Sequence, residues 1–131
     1  MKIAMLIVRT LLGLLFVFAS VTFLFNLIAP PPMPDGPLKS FNEGLAASGY
    51  FFTLLKVTEL TCGILLLSGR FVPLALVVLA PISINIFMVH LILAREGLPV
   101  AIFVVLSHLF LAYYYRDAFK PLLTPNFTSL K

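Results

Sequence analysis

Charge is scarce in this chain of 131 residues: charged side chains make up 11% of it, against 61% hydrophobic ones. Soluble chains carry about a quarter charged and about half apolar residues, and a domain this small has too little interior to bury such a surplus. A soluble globular fold is excluded. Cysteine is nearly absent, and the single one, Cys62, excludes a disulfide framework, a CxxC redox pair and a cysteine-ligated cluster. No internal repeat is evident, and the length excludes a large multidomain enzyme. The net charge of +4 comes from basic residues that flank apolar blocks. They are not interleaved with exposed aromatics as a single-strand binder requires, so nucleic acid is not an expected partner.

What is abundant is long apolar sequence. A helix needs about 18 or more such residues to cross the roughly 30 Å hydrocarbon core, and four stretches qualify: Ile3–Ala29, Tyr50–Ser68, Phe71–Ala94 and Leu98–Tyr115. The expected fold is all-α, an integral membrane four-helix antiparallel bundle forming a single domain over residues 1–131. Ser68-Gly69-Arg70 and Arg95-Glu96-Gly97 leave space only for tight hairpins, so the last three spans are sequential antiparallel neighbours. The first connection is longer and opens on Pro30-Pro31-Pro32-Met33-Pro34-Asp35-Gly36-Pro37, which cannot supply helical hydrogen bonds. Beyond it Leu38, Phe41, Leu45 and Ala46 recur at helical spacing opposite Lys39, Asn42 and Glu43. That pattern suits a short helix on the membrane surface, with a solvated loop as the alternative.

Orientation follows from basic residues near the span ends. Lys2, Arg9, Arg70, Arg116, Lys120 and Lys131 fall on one side, and Lys39 and Arg95 on the other, which places both termini in the cytoplasm. The opening Met1-Lys2 and apolar run resemble a secretory signal, but the run exceeds a cleaved core of about 7 to 15 residues and contains Arg9; an uncleaved first helix is expected.

Polar residues inside the spans carry any chemistry there is, because a charge at the bilayer centre costs about 2.5 to 3.5 kcal/mol on the insertion scale. Lys56 and Glu59 stand one helical turn apart in the second span, a spacing at which they can pair and reduce the cost of burying both; the same pair also has a purely architectural reading. At about 1.5 Å per residue from the cytoplasmic ends, Glu59 lies about 15 Å deep, His108 about 12 Å, Arg9 about 8 Å, and Lys56 and Asn85 about 20 Å. Facing inward, these five residues from four helices make one polar cavity near the midplane, with Arg9 reaching up to Glu59 and Asn85 bonding Lys56. The alternative for Arg9 is to snorkel to cytoplasmic headgroups. His90, about 28 Å deep, is too far from His108 for bis-histidine haem and belongs at the outer interface; His108, beside Ser107, is either a proton carrier or a structural partner. No metal-ligand spacing surrounds either histidine, and no bound metal is expected. Cys62, one turn from Glu59, reads as a small packing residue, Gly63 as a site of close helix contact, and Pro81 as a kink that frees the Val77 carbonyl. The 13 phenylalanines and Tyr113, Tyr114 and Tyr115 suit lipid contact and an interfacial belt.

The stretch KVTELTCGILLLSGRFVPLALVVLAPISINIFMVH resembles the DoxX family of small four-helix bacterial membrane proteins. RTLLGLLFVF in the first span, the proline-rich link with its surface helix, and YYYRDAFKPLL near the end extend the likeness over nearly the whole chain. The resemblance implies a place in the bacterial inner membrane and picks out Arg9, Lys56, Glu59, Gly63, Gly69, Arg70, Asn85 and His90, while Ser20 stands where relatives commonly have glycine. Some members of that family are membrane subunits of quinone-linked sulfur oxidoreductases and others are membrane partners of thiol-handling and superoxide-removing enzymes, while most have no known activity, and nothing in the resemblance supplies a redox centre. Three functions stand open. One is an accessory subunit that offers a quinone or a redox partner protein a polar pocket built by Lys56, Glu59, Asn85 and His108, with no covalently bound cofactor. Another is a carrier of a lipid or small apolar acid whose head meets Lys56 or Arg9. The last is a structural assembly subunit without a ligand. His90 and Arg70 are weaker site candidates.

Overall fold

Residues buried within each long apolar block recur at intervals of three and four, the signature of a helix that shows one stripe to its neighbours. These are Leu12, Phe16 and Ser20; Glu59, Cys62, Gly63 and Leu66; Val72, Ala75, Leu76, Leu79 and Ser83; and Ala101, Val104, His108 and Leu111. The remaining faces carry large exposed hydrophobics such as Leu14, Phe18, Ile64, Leu74, Ile84 and Leu106, as expected of helices whose outer surface meets lipid.

The computed structural model describes residues 1–29 and 31–126; Pro30, which opens the proline run, and Lys131, counted above with the basic residues, lie outside them. The described chain is all-helical: α1 (Lys2–Leu24), α2 (Pro37–Ala47), α3 (Phe51–Ser68), α4 (Val72–Ile92) and α5 (Leu98–Tyr114), with 3-10 turns at Arg95–Gly97 and Arg116–Leu123. Among the described residues four helices are long and apolar enough to cross a membrane: α1, α3, α4, and α5 extended back to Arg95. Their order around the bundle is a closed ring in which α1 packs on α3 and α5, and α4 packs on α3 and α5. The short connections make α3, α4 and α5 consecutive neighbours, and α2 leans on α3 at the end of the bundle away from the chain termini.

Helix ends follow local chemistry. Proline stands in the first turn of α2, α4 and α5, where its missing N–H costs nothing and its φ is already helical. Gly69 closes α3 in the left-handed region (φ 75°) with its N–H on the Leu65 carbonyl, the usual glycine stop. α1 ends at Leu24, short of the expected Ala29; Phe25 caps it and Asn26 takes φ 51°. Asparagine tolerates that region better than most residues, and the proline run beyond could not have continued the helix. α4 runs unbroken through Pro81.

Packing is uneven along the bundle. α1 and α3 share the broadest interface, and they meet at Gly13 and Gly63: a Cβ built on Gly63 would lie 2.8 Å from Val17 Cγ2 and 3.1 Å from the Gly13 carbonyl oxygen. Only glycine permits this approach. In α3 every buried residue lies between Glu59 and Leu66, and in α4 between Val72 and Ser83. The outer segments, 51–58 of α3 and 84–92 of α4, contribute none, so the bundle is closed toward the termini and opens toward α2.

Candidate functional site

The open end holds a cavity of about 310 Å³ walled by all five helices, within the usual size range of small-molecule sites, about 300 to 1,000 Å³. Leu15, Phe16 and Ala19 come from α1, Phe51, Phe52, Leu55, Lys56 and Glu59 from α3, Asn85, Ile86, Val89 and His90 from α4, and Val100 and Val104 from α5. The roof is α2, which turns Phe41, Asn42 and Leu45 onto it; the apolar stripe that reads from sequence as a membrane-surface face therefore also covers the bundle's opening.

Lys56 and Glu59 form the polar wall. Lys56 Nζ donates to Glu59 Oε2 at 3.0 Å, with the Glu59 side chain 4% exposed and that of Lys56 19%. The carboxylate is thus held in the protein while the ammonium reaches the cavity. The same ammonium lies 5.8 Å from the centroid of the Phe23 ring, a distance at which the aromatic face favours a cation. Asn85 lines the cavity and is exposed to it, but Lys56 is turned to Glu59 and Phe23 and not to Asn85. His90, expected at the outer interface, is half-buried in the cavity wall. Its Nδ1 lies 2.7 Å from the Ile86 carbonyl; a carbonyl only accepts, so Nδ1 carries the hydrogen and Nε2 is the acceptor of the neutral ring. The ring packs on Gly97, where a Cβ would lie 2.7 Å from Nε2.

The other residues singled out from sequence lie elsewhere. His108 is buried between α4 and α5, its Nδ1 3.0 Å from Ser83 Oγ, and it does not line the cavity. Arg9 sits at the terminal end: its Nη1 donates to Tyr115 Oη at 3.2 Å, and its guanidinium lies against Gly69. It neither reaches Glu59 nor points freely to headgroups, and its Nε is buried without a partner among the described residues. Arg70 is exposed in the α3–α4 turn. Beside that face Lys120 bonds Asp117 at 2.9 Å and holds its carboxyl below the ordinary carboxylate range. Cys62 is buried in the core. Among the described residues no group of histidine, cysteine and carboxylate side chains is placed to hold a metal ion.

Several partners had no signal of their own in the sequence. Ser83, which meets His108, looks like one more small residue in an apolar span. Tyr115 is grouped with its neighbours as interfacial aromatics, and Phe23 looks like a lipid contact. The hydroxyls of Ser20, Thr22, Thr58 and Thr61 each donate to a carbonyl of their own helix, the common way to satisfy them in an apolar setting, which uses their donor hydrogens.

The four-span helical bundle agrees with the comparison by family. The DoxX sequence profile matches residues 4–91, about two thirds of the chain. The chain belongs to the DoxX family. Comparison with curated proteins and with solved structures finds no match. In this DoxX protein the matched region contains α1 to α3 and most of α4, and with them Arg9, Lys56, Glu59, Asn85 and His90, whereas His108 and Tyr115 lie beyond it. Four apolar spans make the lipid bilayer its surroundings.

Proposed function

We propose that this DoxX protein is an accessory membrane subunit of a quinone- or thiol-linked redox system, and that it holds an apolar-tailed, uncharged molecule of the quinone class in the cavity beneath α2. The observation that carries this reading is the ion pair in the cavity wall. Glu59 already neutralises Lys56, so an incoming carboxylate would add a second negative charge near Glu59, which opposes binding. A carbonyl or hydroxyl head accepts a hydrogen bond from the Lys56 ammonium without that penalty. Asn85 and the Nε2 acceptor of His90 supply further polar contacts on the same wall, and the remaining lining is apolar. The pair therefore favours the uncharged head over the fatty-acid cargo that sequence left open. In this reading the chain contributes position and exclusion of water, and a protein partner supplies the electrons and any thiol chemistry.

Binding of a fluorescent decyl-benzoquinone to the detergent-purified protein tests this. A hydrogen bond to a charged group contributes about 1.5 to 3 kcal/mol, so Lys56→Met should weaken binding by tenfold or more, and Cys62→Ala should stay within about twofold. Equal affinities in both variants, or no binding to the wild type, overturn the reading. A fatty acid found tightly retained after purification would favour the carrier function instead.

A further inference from the structure

The cavity under α2 adjoins a second hollow on its α1 side. Leu15, Ala19 and Lys56 line it and also line a second hollow of about 500 Å³ that continues along α1 past Thr22 and Phe23 to Asn26 and Ile28. The two spaces share a wall, and Ala19 is its smallest side chain. The second hollow lies on the lipid side of the bundle, since Phe18, Phe23 and Ile28 along it are exposed. Its lining is apolar apart from Thr22, Asn26 and Lys56, and the Thr22 hydroxyl is taken by backbone carbonyls of α1. Between Leu15 and Leu24 the helix rises about 14 Å, about half the roughly 30 Å hydrocarbon core. Lys56 spans both spaces: its ammonium bonds Glu59 beside the cavity and stands over the Phe23 ring in the furrow, while its methylene stem offers apolar surface between them.

Resting on the function proposed above, we propose that the ligand is a single-tailed amphiphile whose uncharged head lies beneath α2 and whose tail leaves past Ala19 to lie in the furrow along the outer half of α1. Ala19 then sets which tails are accepted. A head group alone has no use for the furrow, and a chain of ten or so carbons gains apolar contact there that it would otherwise have to find under the roof of α2. A large side chain at position 22, which lines the furrow and not the cavity, fills the path of the tail and leaves the lining around Lys56, Glu59, Asn85 and His90 unaltered.

The test compares a tailless dimethoxy-benzoquinone with its decyl derivative. In the wild type the decyl probe should bind at least tenfold more tightly. In Thr22→Phe, at a residue that lines the furrow and not the cavity, the tailless probe should keep its affinity and the decyl probe should fall at least tenfold, toward the tailless value; unchanged decyl binding overturns the proposal. A decyl probe with a diazirine at the tail end keeps the test independent of how the variant folds: on the wild-type protein it should label residues 22–28, and labelling confined to α2 overturns the tail path. Wild-type protein that binds neither probe overturns the function itself, and the tail path with it.

Discussion

Lys56 and Glu59 differ in what surrounds them although they stand in the same helix. The carboxylate is enclosed, and the ammonium faces a cavity. Removing Glu59 leaves a cation in an apolar setting with only an aromatic face beside it, whereas removing both leaves an apolar wall. Breaking one member of a buried pair costs about 3 to 5 kcal/mol. Glu59→Ala should therefore lower stability in detergent by about 3 kcal/mol, and Glu59→Ala combined with Lys56→Ala should lose clearly less. Thermal unfolding of the two variants measures the coupling, and equal losses would mean that the 3.0 Å contact contributes nothing. Arg9 shows the opposite situation at the other end of the bundle. Its partner is the neutral Tyr115 hydroxyl, so no such coupling to a carboxylate is expected there.

At the scale of elements, the α1–α3 contact decides the shape of the cavity. The glycines at 13 and 63 bring these helices close together, and the larger side chains Phe16, Phe51 and Phe52 line the hollow that α2 roofs. A side chain at position 63 meets Val17 and the α1 backbone at once, and overpacking costs about 1 to 3 kcal/mol. Gly63→Leu should therefore lower the melting temperature markedly. Thr61→Leu, on the exposed face of the same helix with its hydroxyl bonded only to Val57, should change it little. A melting temperature unaffected by Gly63→Leu would show that the helices separate at no cost.

For the whole molecule, an even number of spans puts the two ends of the described chain on one side, and the excess of basic residues there predicts that this side is cytoplasmic. Lys2, Arg9, Arg70, Arg116 and Lys120 crowd the terminal face, against Lys39 and Arg95 at the α2 face. Lys39 is further offset by Asp35 at 2.9 Å and Glu43 at 3.9 Å. A reporter that is active only in the cytoplasm should be active when fused after Lys131 and silent when inserted between Met33 and Lys39. The reverse pattern would invert the protein and put the cavity's roof on the cytoplasmic side.

Hydropathy is a property of contiguous sequence, so the all-helical class, the four spans, the tight hairpins and the amphipathic α2 are legible without coordinates: each depends on residues a few positions apart. The Lys56–Glu59 pair is legible for the same reason, since one helical turn brings the two together. Depth along a helix can also be counted from sequence, which set Lys56, Glu59, Asn85 and His108 in adjacent layers. Rotation about the helix axis cannot be counted, because it is decided by which neighbours pack on which face. That rotation turns His108 toward Ser83 and away from the cavity, brings His90 into the cavity wall, and hands Arg9 to Tyr115, a residue more than a hundred positions away. The roof has the same origin. An apolar stripe on α2 looks identical whether it meets lipid or a bundle, and only the unburied outer segments of α3 and α4 provide the opening that it covers.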